Sequence, residues 1–236
     1  MRIQLQAPAK LTLSLRVTGL REDGFHLILA EMVSLDLYDT LSIDPEGSEF
    51  EVIRQGERQP GEPDDLVQQA LRALNTQAGV VLIKQIPAGA GLGGGSSDAA
   101  AILRWAKQRD PDLAVAIGAD VAFCLAGGRA EVSGIGEVLR PLPHRQQTFT
   151  LLTPPVHCST PLVYRAWDAL GGPVGENGND LEPAALTAYP ELAEYRDRFG
   201  SATGLQPRLA GSGSTWFVEG AYAGPGHVIA HTVGPQ

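Results

Sequence analysis

Between Pro87 and Ser97 the chain reads Pro-Ala-Gly-Ala-Gly-Leu-Gly-Gly-Gly-Ser-Ser, with five glycines in the seven positions from Gly89 to Gly95. Glycine at that density opens backbone N–H groups to close approach and supplies positive-φ geometry without a steric penalty. The segment runs into a strongly helical stretch that starts at Ala99, with Ser96, Ser97 and Asp98 reading as its N-cap cluster. Unpaired N–H groups and the dipole at a helix N-terminus favour an anion, and the Ser96 and Ser97 hydroxyls add donors. The chemistry that Pro87, Ala88, Gly89, Ala90, Gly91, Leu92, Gly93, Gly94, Gly95, Ser96 and Ser97 suit best is the holding of phosphate. Gly89-x-Gly91-x-x-Gly94 also matches a dinucleotide-binding fingerprint, but that motif opens a parallel βαβ unit, and the residues upstream read as meandering strands. A Walker A loop would need a lysine before Ser96 or Ser97, and none is there. A glycine turn that only packs a helix is the remaining structural reading.

Charged groups that could act beside such a loop are few. Of 18 basic residues only Lys10, Lys84 and Lys107 are lysines, so each is a candidate for a role needing a compact point charge. Lys10 reads as a residue just before a strand, Lys84 as a strand end leading to the glycine loop, and Lys107 as a cation in the last turn of a helix. Asp120 precedes a short apolar helix and is either its N-cap or a general base, the latter only if its carboxylate faces a cleft. Asp98 either caps the helix or meets a metal ion, since beside phosphate it would otherwise repel. Phe25 and His26 follow Gly24 and could form a platform for a flat base in a chain with only 6% aromatic residues. His144, His157, His227 and His231 show no metal-ligand spacing.

The elements that must position these groups follow from periodicity. Leu11, Leu13, Leu15 and Val17 alternate with polar residues as in a half-buried strand, and further strands are expected at 28–36, 40–44 and 49–55. A helix fits 64–77, started by Pro63, Asp64 and Asp65, and Val80–Ile83 reads as a buried strand. A helix from Ala99, a short one after Asp120 and strands at 129–133 and 136–142 complete a first region. After the polar stretch at 144–147, a strand (148–153), a helix capped by Ser159-Thr160-Pro161, a helical stretch within 181–199 and strands at 207–210, 214–219 and 227–233 read as a small α+β sandwich. Two α+β domains, 1–145 and 146–236, are expected.

Composition excludes several classes. Lys+Arg 18 against Asp+Glu 27 gives a net charge of −9, with no basic block, so nucleic acid is not an expected partner. Cys124 and Cys158 are the only cysteines and form no CxxC, which suits a reducing cytoplasm rather than a disulfide scaffold or a thiolate zinc site. The start lacks the apolar core of a secretory signal and no 18-residue apolar run occurs, so no membrane span is expected.

Four segments, in order, resemble the motifs of one family: Ala7-Pro8-Ala9-Lys10 with Arg21-x-Asp23-Gly24-Phe25-His26, the loop Pro87-Ala88-Gly89-Ala90-Gly91-Leu92-Gly93-Gly94-Gly95-Ser96-Ser97-Asp98, Gly118-Ala119-Asp120-Val121, and Leu209-Ala210-Gly211-Ser212-Gly213-Ser214-Thr215. The chain is similar to the GHMP kinase superfamily and, within it, to the family that acts on 4-diphosphocytidyl-2-C-methyl-D-erythritol in non-mevalonate isoprenoid synthesis. That resemblance implies a two-domain GHMP fold, with an N-terminal ribosomal-protein-S5-like domain and a C-terminal ferredoxin-like α/β sandwich. It implies ATP with Mg²⁺, the glycine loop on the triphosphate, Asp120 as base and Lys10 as its electrostatic partner. It also implies Asp65 near the nucleotide, His26 on cytosine with Phe25 stacked on it, Tyr164 as the opposite face of that stack, and Gly211 and Ser212 at the substrate diphosphate or the glycine loop, though a plain hairpin turn also explains those glycines. From its place at a strand end before the loop, Lys84 either approaches the ATP or is a solvated strand end. Departures from the family pattern are Phe25 for Tyr, Leu27 for Glu, Asp65 for Asn and Ala122 for Pro, and the segment before Asp120 is short. A small-molecule substrate and a monomer or weak homodimer are expected. A sister kinase of another small alcohol and a non-catalytic nucleotide-binding relative are the alternatives.

Overall fold

The computed structural model describes residues 2–235. Its first strand, β1 (Ile3–Leu20), is buried on both faces from Ala7 to Thr12. The strand expected to begin at Leu11 therefore starts much earlier, and Lys10 lies inside it rather than before it. Ala7 packs in one core and Ala9 in the other although they are two positions apart, because the pairing of β1 with β2 slips between Pro8 and Lys10, so one strand serves two packed layers.

β2 (His26–Asp44) joins the runs expected as two strands and is the hub of the sheet. It pairs antiparallel with β1 along its length, with β6 (Arg129–Gly134) through Ile28–Val33, with β5 (Gly79–Lys84) through Thr40–Asp44, and with β11 (His227–Val233) at Ser34 and Leu35. β3 (Phe50–Arg54) runs parallel to β5, and β4 (Glu57–Pro60) extends that edge. β4 is Glu-Arg-Gln-Pro and wholly exposed, so it carries no apolar alternation for a sequence reading to find. β7 (Val138–Pro141) closes against β6.

Four helices cover this sheet: α1 (Leu66–Ala73), α2 (Gly94–Trp105), α3 (Pro111–Ile117) and α4 (Val121–Ala126). α3 is absent from the elements expected of the sequence. Here Pro111 opens the helix, where its missing N–H costs nothing, and Asp110 caps it by accepting from the Asp112 N–H at 2.9 Å. Beyond β7 come β8 (Thr148–Leu152), α5 (Thr160–Ala169), α6 (Glu182–Ala188), α7 (Leu192–Thr203), β9 (Arg208–Leu209), β10 (Trp216–Glu219) and β11. The helical stretch expected within 181–199 is two helices, parted at Tyr189-Pro190. β11 pairs with β8 through His227–His231, then with β2. The last strand thus carries the C-terminal sheet into the first one.

Two cores result. The larger one packs α1, α2 and α4 on the first sheet. The smaller one gathers Ala9 and Leu11 of β1, Phe149, Leu151, Phe217 and Ala230 of the C-terminal strands, and Ala90 and Leu92 of the glycine loop. The loop is thereby pinned from behind by apolar side chains at alternate positions. Among the described residues, no helix is long and apolar enough to cross a membrane.

Leu92 is 1% exposed in this seam. Leu92→Ala is expected to lower stability by about 2–5 kcal/mol, the range for emptying a buried leucine site. Urea unfolding of the two proteins checks it; a change within error would mean that the loop is not anchored by that side chain.

Candidate active site

The site is organised around Lys10. The pairing of β1 with β2 slips between Pro8 and Lys10, a bulge-like irregularity, and the Lys10 N–H is donated to the Leu92 carbonyl of the glycine loop at 2.9 Å. The side chain runs beneath Gly93, where a Cβ would fall 2.6 Å from Lys10 Cγ, and Gly93 itself sits at φ +66°. Both the space and the backbone conformation therefore require glycine there. The ammonium donates to Thr12 Oγ1 at 3.2 Å and pairs with Asp120 Oδ2 at 3.2 Å.

Asp120 occupies the position before α4, yet its side chain makes no capping hydrogen bond. Its carboxylate is one-third exposed and turned to Lys10 and the cleft. The short helix α4 is fully buried from Val121 to Leu125, and this fixes the direction in which Asp120 leaves it.

The glycine loop differs from its sequence reading in two respects. α2 begins at Gly94, not near Ala99, with Gly93 as an N-cap that has no side chain to offer. The first-turn N–H groups of a helix have no intrahelical acceptor, so those of Gly94, Gly95 and Ser96 are the ones presented to an anion. Ser97 lies too deep for the donor role expected of it: it is wholly buried, and its hydroxyl donates to the Pro8 carbonyl at 2.7 Å, tying α2 to β1. Ala90 and Leu92 face the core, Pro87, Ala88 and Gly95 face solvent, and Gly91 and Gly93 line the cleft. At Gly91, φ is +76° and a Cβ would stand 2.3 Å from the Ala210 carbonyl oxygen, so the loop lies directly on the turn after β9. That turn is a hairpin (Ala210 and Thr215 are bonded, and the Thr215 N–H reaches the Ala90 carbonyl at 3.1 Å), and its Gly211 and Ser212 line the cleft. The hairpin reading and the contact with the glycine loop thus both hold for this segment.

Lys84 does not reach the cleft. Its ammonium is enclosed by Asp39 and by Asp98, whose Oδ2 is 2.6 Å away, so the expected approach to a nucleotide is replaced by a buried lysine–carboxyl triad beneath Gly94. Asp98 accordingly neither caps α2 nor faces a metal. Asp65 caps α1 by accepting from the Val67 N–H at 2.8 Å. Asp39, absent from the sequence reading, also accepts from the Gln85 N–H at 2.5 Å and the Ile86 N–H at 2.8 Å. An aspartate between Leu37-Tyr38 and Thr40-Leu41, in a stretch that otherwise reads as strand, is the signal that could find it.

At the other end of the cleft, the turn Arg21–Phe25 closes the β1–β2 hairpin and leaves Phe25 57% exposed, with the Arg21 guanidinium 5.5 Å from its ring centre. His26 is stacked on Tyr164 at 4.6 Å between ring centres, so Tyr164 is set against the histidine and not placed as an open face opposite Phe25. Burial pushes the Tyr164 phenol up to about 12, with the Asp120 charge adding to the rise. Thr160, whose hydroxyl is 2.8 Å from that of Ser212, and Asp168 complete the wall offered by α5; the sequence reading places Thr160 only in a helix cap and does not name Asp168. The cleft encloses about 610 Å³ and brings together Lys10, Asp120, Gly91, Gly93, Phe25, His26 and Ser212, residues separated by up to two hundred positions in the chain.

Comparison with known proteins fits this geometry. Residues 65–128 match the GHMP kinases N terminal domain. The 4-diphosphocytidyl-2-C-methyl-D-erythritol kinase of Paracoccus denitrificans is 39% identical over 89% of this chain and 84% of its own length, and that of Cereibacter sphaeroides is 34% identical over 98% and 94%. The chain belongs to the 4-diphosphocytidyl-2-C-methyl-D-erythritol kinase family. A crystal structure of 4-(cytidine 5'-diphospho)-2C-methyl-D-erythritol kinase superposes with a TM-score of 0.77 at 31% identity, over 98% of this chain and all of the other. Homoserine kinase from Cytophaga hutchinsonii shares the fold alone, at a TM-score of 0.63 and 18% identity. The GHMP kinase fold expected from the four motifs is the fold of this chain.

The Asp98 triad gives this family member a measurable pH signature. Burial pushes the Asp98 carboxyl up to about 8, Lys84 pulls it down, and Asp39 and Asp65 push it further up. One lysine cannot balance two buried carboxylates, and Asp98 keeps its proton toward neutrality. In the unfolded chain an aspartate releases that proton near 3.8, so the folded state binds it more tightly across the interval between. This contribution to stability is complete below about pH 4 and fades as pH rises toward about 8. Asp98→Asn should flatten that decline, as read by urea melts at about pH 5 and about pH 9. An unchanged pH slope in the variant would show that Asp98 is ionised throughout.

Proposed function

We propose that this chain transfers the γ-phosphate of ATP to the 2-hydroxyl of 4-diphosphocytidyl-2-C-methyl-D-erythritol. The observation that carries the reading is the single cleft holding a paired lysine and aspartate, a glycine loop on one side and an aromatic–histidine end on the other. In the mechanism, first-turn N–H groups of α2 and the backbone of the loop hold the triphosphate. Phe25 and His26 take the cytosine, and Gly211 and Ser212 lie along the diphosphate. Asp120 accepts the proton of the acceptor hydroxyl as its oxygen bonds to the γ-phosphorus. The bond from that phosphorus to the bridging oxygen breaks, and ADP leaves with the electron pair. Lys10 offsets the negative charge that gathers on the attacking oxygen and holds Asp120 in line.

Among the described residues, no group of three or more His, Cys, Asp or Glu side chains is placed to hold a metal. Mg²⁺ at such sites needs only one or two protein ligands beside phosphate and water, so it does not require a cluster of that kind. An ion carried on the nucleotide, with phosphate and water as ligands, is the form compatible with these residues, and no step is assigned to it. The segments 1–145 and 146–236 act as two lobes around the cleft. The free, buried Cys124 and Cys158 suit a reducing cytoplasm, and the net charge of −9 suits a small-molecule partner rather than nucleic acid; a monomer or weak homodimer needs no further surface. With that net charge, anionic ligands are drawn by local N–H groups and lysines. A non-catalytic nucleotide-binding relative would have no use for the Lys10–Asp120 pair.

ADP release from ATP should appear with the diphosphocytidyl methylerythritol acceptor and not with mevalonate, homoserine or galactose. Release with one of those instead would assign a different alcohol, and silence with all four in protein that binds ATP would remove the kinase reading. Lys10→Met is expected to lower kcat by about 10²–10³-fold with ATP affinity retained, the loss typical of one electrostatic stabiliser. Turnover within a few-fold of the parent would refute its role.

A further inference from the structure

The imidazole of His26 is gripped by one face of α5. Tyr164 stacks on it with an interplanar angle of 23°, Trp167 meets it edge-on at 5.5 Å between ring centres, and Asp168 Oδ1 lies 2.8 Å from Nε2. These three residues follow at i, i+3 and i+4 spacing, so a single helical face supplies stack, edge and acceptor. Trp167 is itself fixed by donating its indole N–H to the Pro173 carbonyl at 3.0 Å. The His26 side chain is only 10% exposed, while Asp168 is 53% exposed and both line the cleft.

A carboxylate accepts and does not donate, so the Nε2 of His26 must carry the hydrogen in this contact. In the neutral ring the other nitrogen, Nδ1, is then a lone-pair acceptor. We propose that Asp168 is a positioning residue for base recognition: by holding His26 in the Nε2–H tautomer it leaves Nδ1 as an acceptor, which selects a pyrimidine with an amino group at the recognised edge over one with a carbonyl. Cytosine offers that amino donor, whereas uracil places a carbonyl oxygen at the same position and would set two lone pairs against each other. The inference rests on the reading that His26 meets the base, and it adds what makes that contact discriminate. It also gives α5 a function in the cleft beyond packing.

The test compares the cytidine and uridine diphosphate-linked methylerythritol acceptors with the full chain and with Asp168→Ala and Asp168→Glu. The parent protein should prefer the cytidine compound in kcat/KM. Asp168→Ala should reduce that preference on the order of 10-fold, the loss of one hydrogen bond's orientation, chiefly through a higher KM for the cytidine acceptor. Its kcat and its KM for ATP should stay near the parent's, because the base is remote from the reacting hydroxyl. Asp168→Glu should recover part of the preference. Nitrogen-15 NMR of the ligand-free parent protein provides a readout independent of activity: Nδ1 of His26 should be unprotonated and Nε2 protonated near neutral pH, and Asp168→Ala should mix the tautomers. A parent protein that prefers the cytidine acceptor while Asp168→Ala keeps both the preference and the tautomer overturns the inference and leaves the kinase reading intact. A parent protein that uses neither acceptor removes the kinase reading itself, whatever the tautomer.

Discussion

A lysine whose side chain is only 7% exposed governs this structure. Burying an ammonium costs several kcal/mol unless a counter-charge and hydrogen-bond acceptors meet it. For Lys10 those are Asp120 and Thr12, and every neighbouring element is shaped by the need to bring them there. The slip in the β1–β2 ladder releases the Lys10 N–H to the glycine loop. Gly93 crosses the lysine stem at a distance no side chain could tolerate. Asp120 forgoes the cap of α4, and its carboxylate turns outward to the cleft.

The loop above this pair is held from several sides. Leu92 and Ala90 anchor it in the small core shared by β1 and the C-terminal strands, and Gly91 presses on the turn after β9. Ser97 ties the first turns of α2 to Pro8, and the Lys84 triad supports Gly94 from below. A phosphate cradle must present N–H groups at fixed positions, and fixing them in advance avoids ordering a mobile loop when the ligand arrives. The residues that do this are mostly not the ones that would touch phosphate. The chemistry faces the cleft and its support lies behind it.

This division explains what could be read from the sequence. Residue types that suit a task, such as glycines beside serines, a scarce lysine and an aspartate before a short helix, were visible because local spacing carries them. Long-range partners were not. That Lys84 turns inward depends on Asp39, 45 positions away on another strand, and on the depth of Asp98 in α2. Ser97 reads as a donor for a ligand until Pro8, 89 positions earlier, is seen to claim it. The start of α2 was placed too late because a run of glycines argues against helix locally, while packing on β1 overrides that preference. β1 reads short for a different reason: Ile3, Leu5, Ala7 and Ala9 do alternate with Gln4, Gln6, Pro8 and Lys10, but a proline between two small alanines argues against a strand locally, while pairing with β2 holds the segment in one.

The central claim is that Asp120 acts on the acceptor hydroxyl and is not a structural cap. The most direct measurement pairs turnover with ATP affinity for Asp120→Asn in one preparation, by ADP release and by calorimetry. The account predicts a loss of at least about 10²-fold in kcat, typical of removing a general base, with ATP bound as in the parent and a lowered melting temperature, because Lys10 loses its counter-charge. Near-parental turnover would contradict it, because Lys10 would then face a group with no part in the chemistry.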